Sequence, residues 1–342
     1  IDKLNRRNVP HQLIVWITSF LKNRRQCVVV GDECSDWAPV TSGVPQGSVL
    51  GPLLFNLFVD DLDDVLHSEV KIKKFADDTK LYITYYSTCT QAHMKLQDSL
   101  NAVQNWCNQW LMQLNVSKCN VMYFGNSNPR FAYMLQGSAL ASASTVRDLG
   151  VTVSENSSVS QQCINVAARA RRLTGLMLRT FTSRRRNVIL PMFKSIIRPI
   201  VEYATPVWNP HLKKDIAEVE HVQRKITKCI SGMSHLTYEE RLESLDLPKL
   251  DTRRAYFDLL ECYKIIHNLT RSDCHAFVSL SELHTRGYRC KLQAVSGPAR
   301  LDVRRYFFVE RIISQWNALP VEITQQQNYS HFKLMLRKHL CL

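Results

Sequence analysis

Val159, Cys163, Val166, Ala170, Leu173 and Met177 follow one another at steps of four, three, four, three and four. That rhythm is one buried stripe on an α-helix, so the second half of the chain has to fold around a long amphipathic helix. The charges beside the stripe narrow the reading further. Between residues 151 and 200 there are nine Lys or Arg and one acid, Glu155. A merely solvated helix face would mix both signs. Arg169, Arg172 and Arg179 lie off the stripe and Arg184, Arg185 and Arg186 follow in a row; contact with a phosphate backbone is favoured for them as a group. The chain as a whole has 44 Lys plus Arg against 30 Asp plus Glu, a net +14 over 342 residues. Such an excess suits a polyanionic partner, most simply nucleic acid.

Ahead of the polar stretch SENSSVSQQ (154–162) the pattern is different. HQLIVWITSFLK (11–22) has helical spacing, with Leu13, Trp16, Ile17 and Phe20 on one face. The Val-rich segments near 25–31 and 34–40 flank a Gly-Asp turn and predict a hairpin. TSGVPQGS is a turn-rich loop, and a helix is expected from about Ser48 to Val59. Segments 70–76 and 79–86 stand at hairpin spacing, a long helix covers roughly 90–114, and strands are expected at 115–125 and 146–154. Met94, Leu100, Val103, Trp106, Cys107 and Trp110 form the apolar stripe of that long helix. Its two tryptophans suit core packing better than base stacking. The expected class is therefore α+β: an antiparallel sheet with helices, then a helical basic region, then a helical C-terminal region ending in the amphipathic FKLMLRKHLCL. The boundaries fall near 1–45, 46–157, 158–260 and 261–342.

The 11 cysteines are odd in number and contain no C-x-x-C pair, which predicts free thiols in a reducing compartment, nucleus or cytoplasm, and no secretion. Cys274, His275, His284 and Cys290 are the nearest approach to a zinc set, at a spacing that fits no common site. The longest apolar run, VLGPLLFNLFV (49–59), is too short to span a bilayer. The chain opens mid-pattern at Ile1 without Met, so it is expected to be a fragment.

Two acidic clusters compete for chemistry. VDDLDD (59–64) falls where a helix ends, the unfavourable end of the dipole for negative charge, and is expected to be solvated turn and capping residues. FADD (75–78) sits at a hairpin tip, which can project a carboxylate rigidly toward a hard divalent cation. By itself the Asp77–Asp78 pair is open to two readings, a metal site or an ordinary turn.

SGVPQGSVLGPLLFNLFVDDL, FADDTKLY, a long helix, LNVSKCNVMYF and DLGVTVS occur in that order, with IIRPIVEYATPVW (196–208) and WNALP (316–320) downstream. Together they resemble the reverse transcriptases of non-LTR, LINE-type and especially jockey-like retrotransposons, along essentially the whole chain. The resemblance implies a polymerase palm followed by an all-helical thumb, with the start of the chain a remnant of the fingers–palm connection. It implies RNA-directed DNA synthesis, in which two Mg²⁺ or Mn²⁺ ions clamp the attacking and leaving oxygens. Its partners would be an RNA template, a DNA primer and deoxynucleotides, with no membrane. Asp77 would be the principal metal ligand and Asp78 a second or supporting one. Phe75 and Ala76 precede them in the same turn. Gly43, Pro45, Gln46, Gly47 and Ser48 would lie beside template and incoming nucleotide. Lys118 would assist the pyrophosphate leaving group, with a plain surface lysine as the other reading. Leu149 and Gly150 would grip the primer, and the basic helices after residue 158 would track the duplex.

One part of the family pattern has no counterpart. A further aspartate, in a D-x-x-x-A-F-D-like string, occurs nowhere in the 342 residues. The chain is therefore expected not to polymerise DNA by itself. The alternative is a non-catalytic RNA- or DNA-binding protein on the same scaffold.

Overall fold

A computed structural model describes residues 1–85, 91–270, 278–280, 291–294 and 301–342. Cys274, His275, His284 and Cys290 lie outside the described residues. Two compact units divide the chain, Ile1–Ser142 and Ala143–Leu342.

In the first unit, helices α1 (Asp2–Arg6) and α2 (His11–Leu21) pack through Leu4, Ile14 and Ile17 onto Leu54 of α3 (Leu50–Phe58). The buried face of α2 is only partly the expected one: Ile17 is buried and Phe20 packs against the same core, but Leu13 and Trp16 are 51% and 55% exposed and Ile14 points inward instead. Five apolar residues in succession, Leu13 to Ile17, leave periodicity without a choice of face, and contact with Leu4 and Leu54 decides it.

The first hairpin is interrupted. Strand β1 (Arg25–Gln26) pairs with β4 (Ala38–Pro39), and β2 (Val29–Val30) with β3 (Glu33–Cys34), all antiparallel. Between the two ladders the Val28 amide donates to the Ser35 hydroxyl at 2.9 Å. After α3 and a 3-10 turn (Asp60–Val65) come β5 (Lys71–Phe75) and β6 (Asp78–Tyr82), then α4 (Ala92–Gln109). Ile72 and Leu81, opposite each other in the β5–β6 register, rest on a core of Val59, Leu62, Val103, Trp106 and Cys107. Trp106 is buried and Trp110 packs beside it, so both indoles are core residues; Met94 lies outside the stripe, 57% exposed.

The expected strand at 115–125 is mostly replaced by a 3-10 turn (Val116–Lys118) and the two-residue β7 (Asn120–Val121). Asn115 Oδ1 accepts from the Ser117 hydroxyl at 2.6 Å, and Asn120 Nδ2 donates to the Lys118 carbonyl at 3.1 Å. Such side-chain bonds compete with a ladder. Strands β8 (Met134–Leu135) and β9 (Ser138–Ala139) pair antiparallel, while β10 (Ala141–Ser142) lies parallel to β7. The α+β class holds, but the expected antiparallel sheet does not form as one sheet. Every described strand pairs with a single partner, in two-stranded ladders. Most are two residues long, too short to carry a second partner.

The second unit opens with the antiparallel pair β11 (Thr145–Asp148) and β12 (Val151–Ser154), followed by α5 (Ser160–Thr180). Cys163, Val166, Ala170 and Met177 are buried as the stripe requires. Then come α6 (Arg186–Met192), a π-turn (Phe193–Ile197) and α7 (Arg198–Glu202). Pro191, inside α6, has no amide to donate, and the hydrogen-bond ladder resets through the wider turn. Helices α8 (Thr205–Trp208), α9 (Lys213–Lys228) and α10 (Tyr238–Leu245) complete a core running from Val151 to the first residue of α11 (Leu250–Ile266).

A second core joins the rest of α11 to the C-terminal elements. The C-terminal elements are the antiparallel β13 (Val278–Leu280) and β14 (Leu292–Ala294), then α12 (Asp302–Arg305), α13 (Phe308–Asn317), α14 (Val321–Thr324) and α15 (Tyr329–His339), and the core draws on β14, α13, α14 and α15. The region after 260 is thus not purely helical. The Asn317 side chain acts as an extra strand for β14, accepting from the Leu292 amide at 2.8 Å and donating to its carbonyl at 2.9 Å.

A buried clasp holds this region. Asp258, fully buried, takes a two-pronged contact from Arg311 (2.9 and 3.0 Å) and a third bond from Asn209 Nδ2 (2.8 Å). Arg311 also donates to the carbonyls of Pro206 (2.6 Å) and Tyr306 (3.2 Å). A buried carboxylate is tolerable only when so paired. Among the described residues no helix is long and apolar enough to cross a membrane.

Candidate functional site

The β5–β6 register pairs Phe75 with Asp78, which makes Ala76 and Asp77 the two loop residues of a tight hairpin. Ala76 sits at φ +51°, a left-handed conformation that ordinarily favours glycine. Phe75 is 64% exposed and Ala76, Asp77 and Asp78 are exposed. Neither aspartate has an ion pair or side-chain hydrogen bond with a described residue, so both carboxylates are free at the tip.

The other acidic cluster forms the expected turn, with Asp63 and Asp64 exposed, but three of its four acids are also paired. Asp61 pairs with Lys3 at 2.6 Å and accepts from Trp106 Nε1 at 3.0 Å, Asp60 pairs with Arg7, and Asp63 pairs with Lys74. Lys3 and Lys74 also donate to the last carbonyls around the end of α3: Lys3 to Phe58 at 2.5 Å, Lys74 to Val59 and Asp60 at 3.1 Å each. Cations are favoured at that end of a helix. The acids are there to hold the cations in place. Lys3 is further enclosed by the rings of Phe58, Trp106 and Trp110, at 4.6, 4.5 and 3.8 Å.

The Gly43–Ser48 loop sits at the opposite end of α3. Gly43 and Gly47 have φ of +76° and +78° with open space around them, so conformation rather than crowding requires glycine there. Arg24 anchors the base of the loop by donating to the Gly43 carbonyl at 2.5 Å. Ser48 donates to the Pro45 carbonyl at 2.8 Å and accepts from the Gly51 amide at 2.9 Å, capping α3. Gln46 is exposed and makes no hydrogen bond with a described residue. Lys74 ties β5 to the far end of α3, so the nine-residue helix is a strut of about 14 Å between the glycine loop and the hairpin. Arg24, Lys3 and Lys74 are supports that no motif announces. Lys118 lies exposed on its 3-10 turn.

In the second unit Leu149 and Gly150 form the tip of the β11–β12 hairpin, both left-handed (φ +43° and +86°), the signature of a type I′ turn. The Tyr203 hydroxyl donates to the Leu149 carbonyl at 3.0 Å. The Tyr203 ring leaves no slack at Gly150, where a Cβ would lie 3.2 Å from it.

On α5, Arg169, Arg172 and Arg179 fall on one exposed face, about 15 Å from first to last. They have no acidic partner among the described residues, nor do the exposed Arg185 and Arg186. Arg184 differs: its guanidinium donates to the carbonyls of Phe181 and of Leu178 (2.5 Å), closing the end of α5. Arg171 pairs with Glu218 of α9 at 2.6 Å. Burial pushes the Cys163 thiol up to about 12, so this cysteine is packing and not a nucleophile.

Among the described residues no three His, Cys, Asp or Glu are grouped to hold an ion. Asp77 and Asp78 are thus two carboxylates with no third His, Cys, Asp or Glu grouped with them among the described residues.

Residues 1–153 match the family model "Reverse transcriptase (RNA-dependent DNA polymerase)". The chain is 28% identical over 256 residues to the RNA-directed DNA polymerase from mobile element jockey of Drosophila melanogaster, covering 72% of this chain and 28% of that protein. It is 27% identical over 236 residues to the probable RNA-directed DNA polymerase from transposon X-element of the same fly, covering 66% and 26%. The jockey polymerase of Drosophila funebris is 27% identical over 251 residues, covering 70% and 27%. The chain thus spans under a third of the length of these relatives. No solved structure matches. The similarity is to reverse transcriptases of non-LTR mobile elements.

Proposed function

We propose that this chain, similar to reverse transcriptases of jockey-type elements, is the palm-and-thumb part of an RNA-directed DNA polymerase and by itself binds template–primer duplex without extending it. In this reading residues 1–45 belong to the fingers–palm connection, 46–157 to the palm, 158–260 to the thumb and 261–342 to a C-terminal region. The observation that carries it is the family match over 1–153 together with two unpaired carboxylates at the tip of a tight hairpin.

Each part has a task that suits its chemistry. The Gly43–Ser48 loop offers open backbone and the free amide of Gln46 to template and nucleotide. Leu149 and Gly150, held under Tyr203, form a rigid tip for a primer strand. Arg169, Arg172, Arg179, Arg185 and Arg186 attract phosphates without internal competition. Lys118 is free to meet a pyrophosphate. In the whole enzyme divalent ions would polarise the phosphoryl oxygens, with Asp77 as the ligand this chain contributes and Asp78 beside it. The lack of a D-x-x-x-A-F-D-like string in the sequence, and of a third acid grouped with Asp77 and Asp78 among the described residues, favours binding over catalysis.

Two measurements test this. A DNA primer annealed to an RNA template should be bound in a strongly salt-dependent way. With deoxynucleotides and Mg²⁺ or Mn²⁺ it should not lengthen. Extension abolished by Asp77→Ala would refute the inactivity, and failure to bind the duplex at low salt would refute the thumb assignment.

A further inference from the structure

His211 and Tyr306 stand 95 positions apart, yet their rings lie parallel at an interplanar angle of 1° with centroids 3.9 Å apart. His211 is exposed and Tyr306 is 38% exposed, so the stack is a surface feature rather than core. It is also rigidly mounted. Asn209, two residues before His211, donates to buried Asp258; Arg311, clamped on the same carboxylate, donates to the Tyr306 backbone carbonyl. Both halves of the stack therefore hang from one buried ion pair.

Cations adjoin it. Lys213 and Lys214 open α9 two and three residues after His211, both exposed and with no acidic partner among the described residues. Neighbouring Asp215 is taken by the Ser160 hydroxyl at 2.6 Å. Lysines in the first turn oppose the helix dipole, so they do nothing for α9 itself. Phe307, 53% exposed, adds a further aromatic ring next to Tyr306.

We propose that His211, Tyr306, Lys213 and Lys214 form a binding site for single-stranded nucleic acid, apart from the arginine face of α5. A stacked pair at the surface leaves an outer ring face open, and an unpaired base can continue the stack there. The two lysines take the adjoining phosphates. The interior of a duplex cannot use such a platform, because its bases are already stacked on one another.

The test uses the full 342-residue chain and fluorescence anisotropy with two probes, a labelled 15-nucleotide oligouridylate and a blunt RNA–DNA duplex. His211→Ala with Tyr306→Ala should weaken oligouridylate binding at least tenfold and duplex binding less than twofold. Tyr306→Phe keeps the ring and should retain single-strand affinity. Lys213→Ser with Lys214→Ser, at exposed positions that do not endanger folding, should lower the salt slope for the oligouridylate by about 1.4. The triple change Arg169→Ala, Arg172→Ala and Arg179→Ala should do the reverse, weakening the duplex and sparing the single strand. Unchanged oligouridylate affinity in both the aromatic and the lysine variants overturns the site. Displacement of oligouridylate by oligoglutamate at equal concentration overturns it in favour of an acidic peptide. Loss of duplex binding alone would sink the thumb assignment and leave this site standing.

Discussion

Gly51 has less freedom than any other glycine in the first unit. A Cβ there would fall 2.8 Å from the Pro45 carbonyl oxygen and 3.0 Å from Ser48 Oγ. Gly51→Ala should destabilise by about 1–3 kcal/mol, read as a lower urea midpoint with unchanged slope. An alanine that leaves the midpoint where it was would mean that the loop does not fold back over α3. His267 gives a pH signature of its own. Burial against Tyr263, stacked at 4.0 Å, lowers its pKa below the ordinary 6.5. The folded state then binds fewer protons than the unfolded state in that window. Stability from this group is complete above about pH 6.5 and falls as the pH drops through the lower folded value. His267→Phe should flatten that part of the thermal-stability profile relative to the parent chain, and two parallel profiles would contradict the assignment. Neither feature is legible in the sequence: one depends on a carbonyl six residues back in a folded loop, the other on burial.

Among elements, α5 was legible because its stripe and its charges repeat at the helical period. What the pattern could not separate were arginines facing solvent from one closing the helix. The distinction is measurable. Removing Arg169, Arg172 and Arg179 together should reduce the salt slope of duplex binding by about 2.7 and leave the unfolding midpoint alone. Arg184→Ala should cost about 1 kcal/mol of stability, read as a lower unfolding midpoint, and leave the salt slope nearly intact. If Arg184→Ala lowers the slope as much as each of the others, it is a phosphate contact after all. The two hairpins were legible to different depths. FADD announced its turn through paired β-formers, whereas Leu149–Gly150 read as mid-strand. Its turn follows from both residues being left-handed, and leucine is a poor advertisement for that. The glycine-rich loop was visible as a turn, but the helix that separates it from the hairpin acquired meaning once Lys74 was seen to bind the far end.

Over the whole molecule, the shift from mixed strands to basic helices could be read from composition, and the α+β class with it. The joining of the C-terminal region to the helices before it could not, since Asn209, Asp258 and Arg311 share no spacing. Asp258→Ala should cost about 3–5 kcal/mol, because it leaves the largely buried Arg311 without its partner. Replacing both, with Asp258→Leu and Arg311→Met, should cost less than the single change, and denaturant unfolding of the three variants checks the order. A double variant as unstable as the single one would show that packing rather than charge holds the clasp. That clasp also decides how a gene for this protein can decay. A frameshift or stop codon between positions 259 and 311 deletes the guanidinium and strands the carboxylate of Asp258 in the interior of helices already encoded. Late lesions, usually the mild ones, would here be about as damaging to the helical unit as early ones.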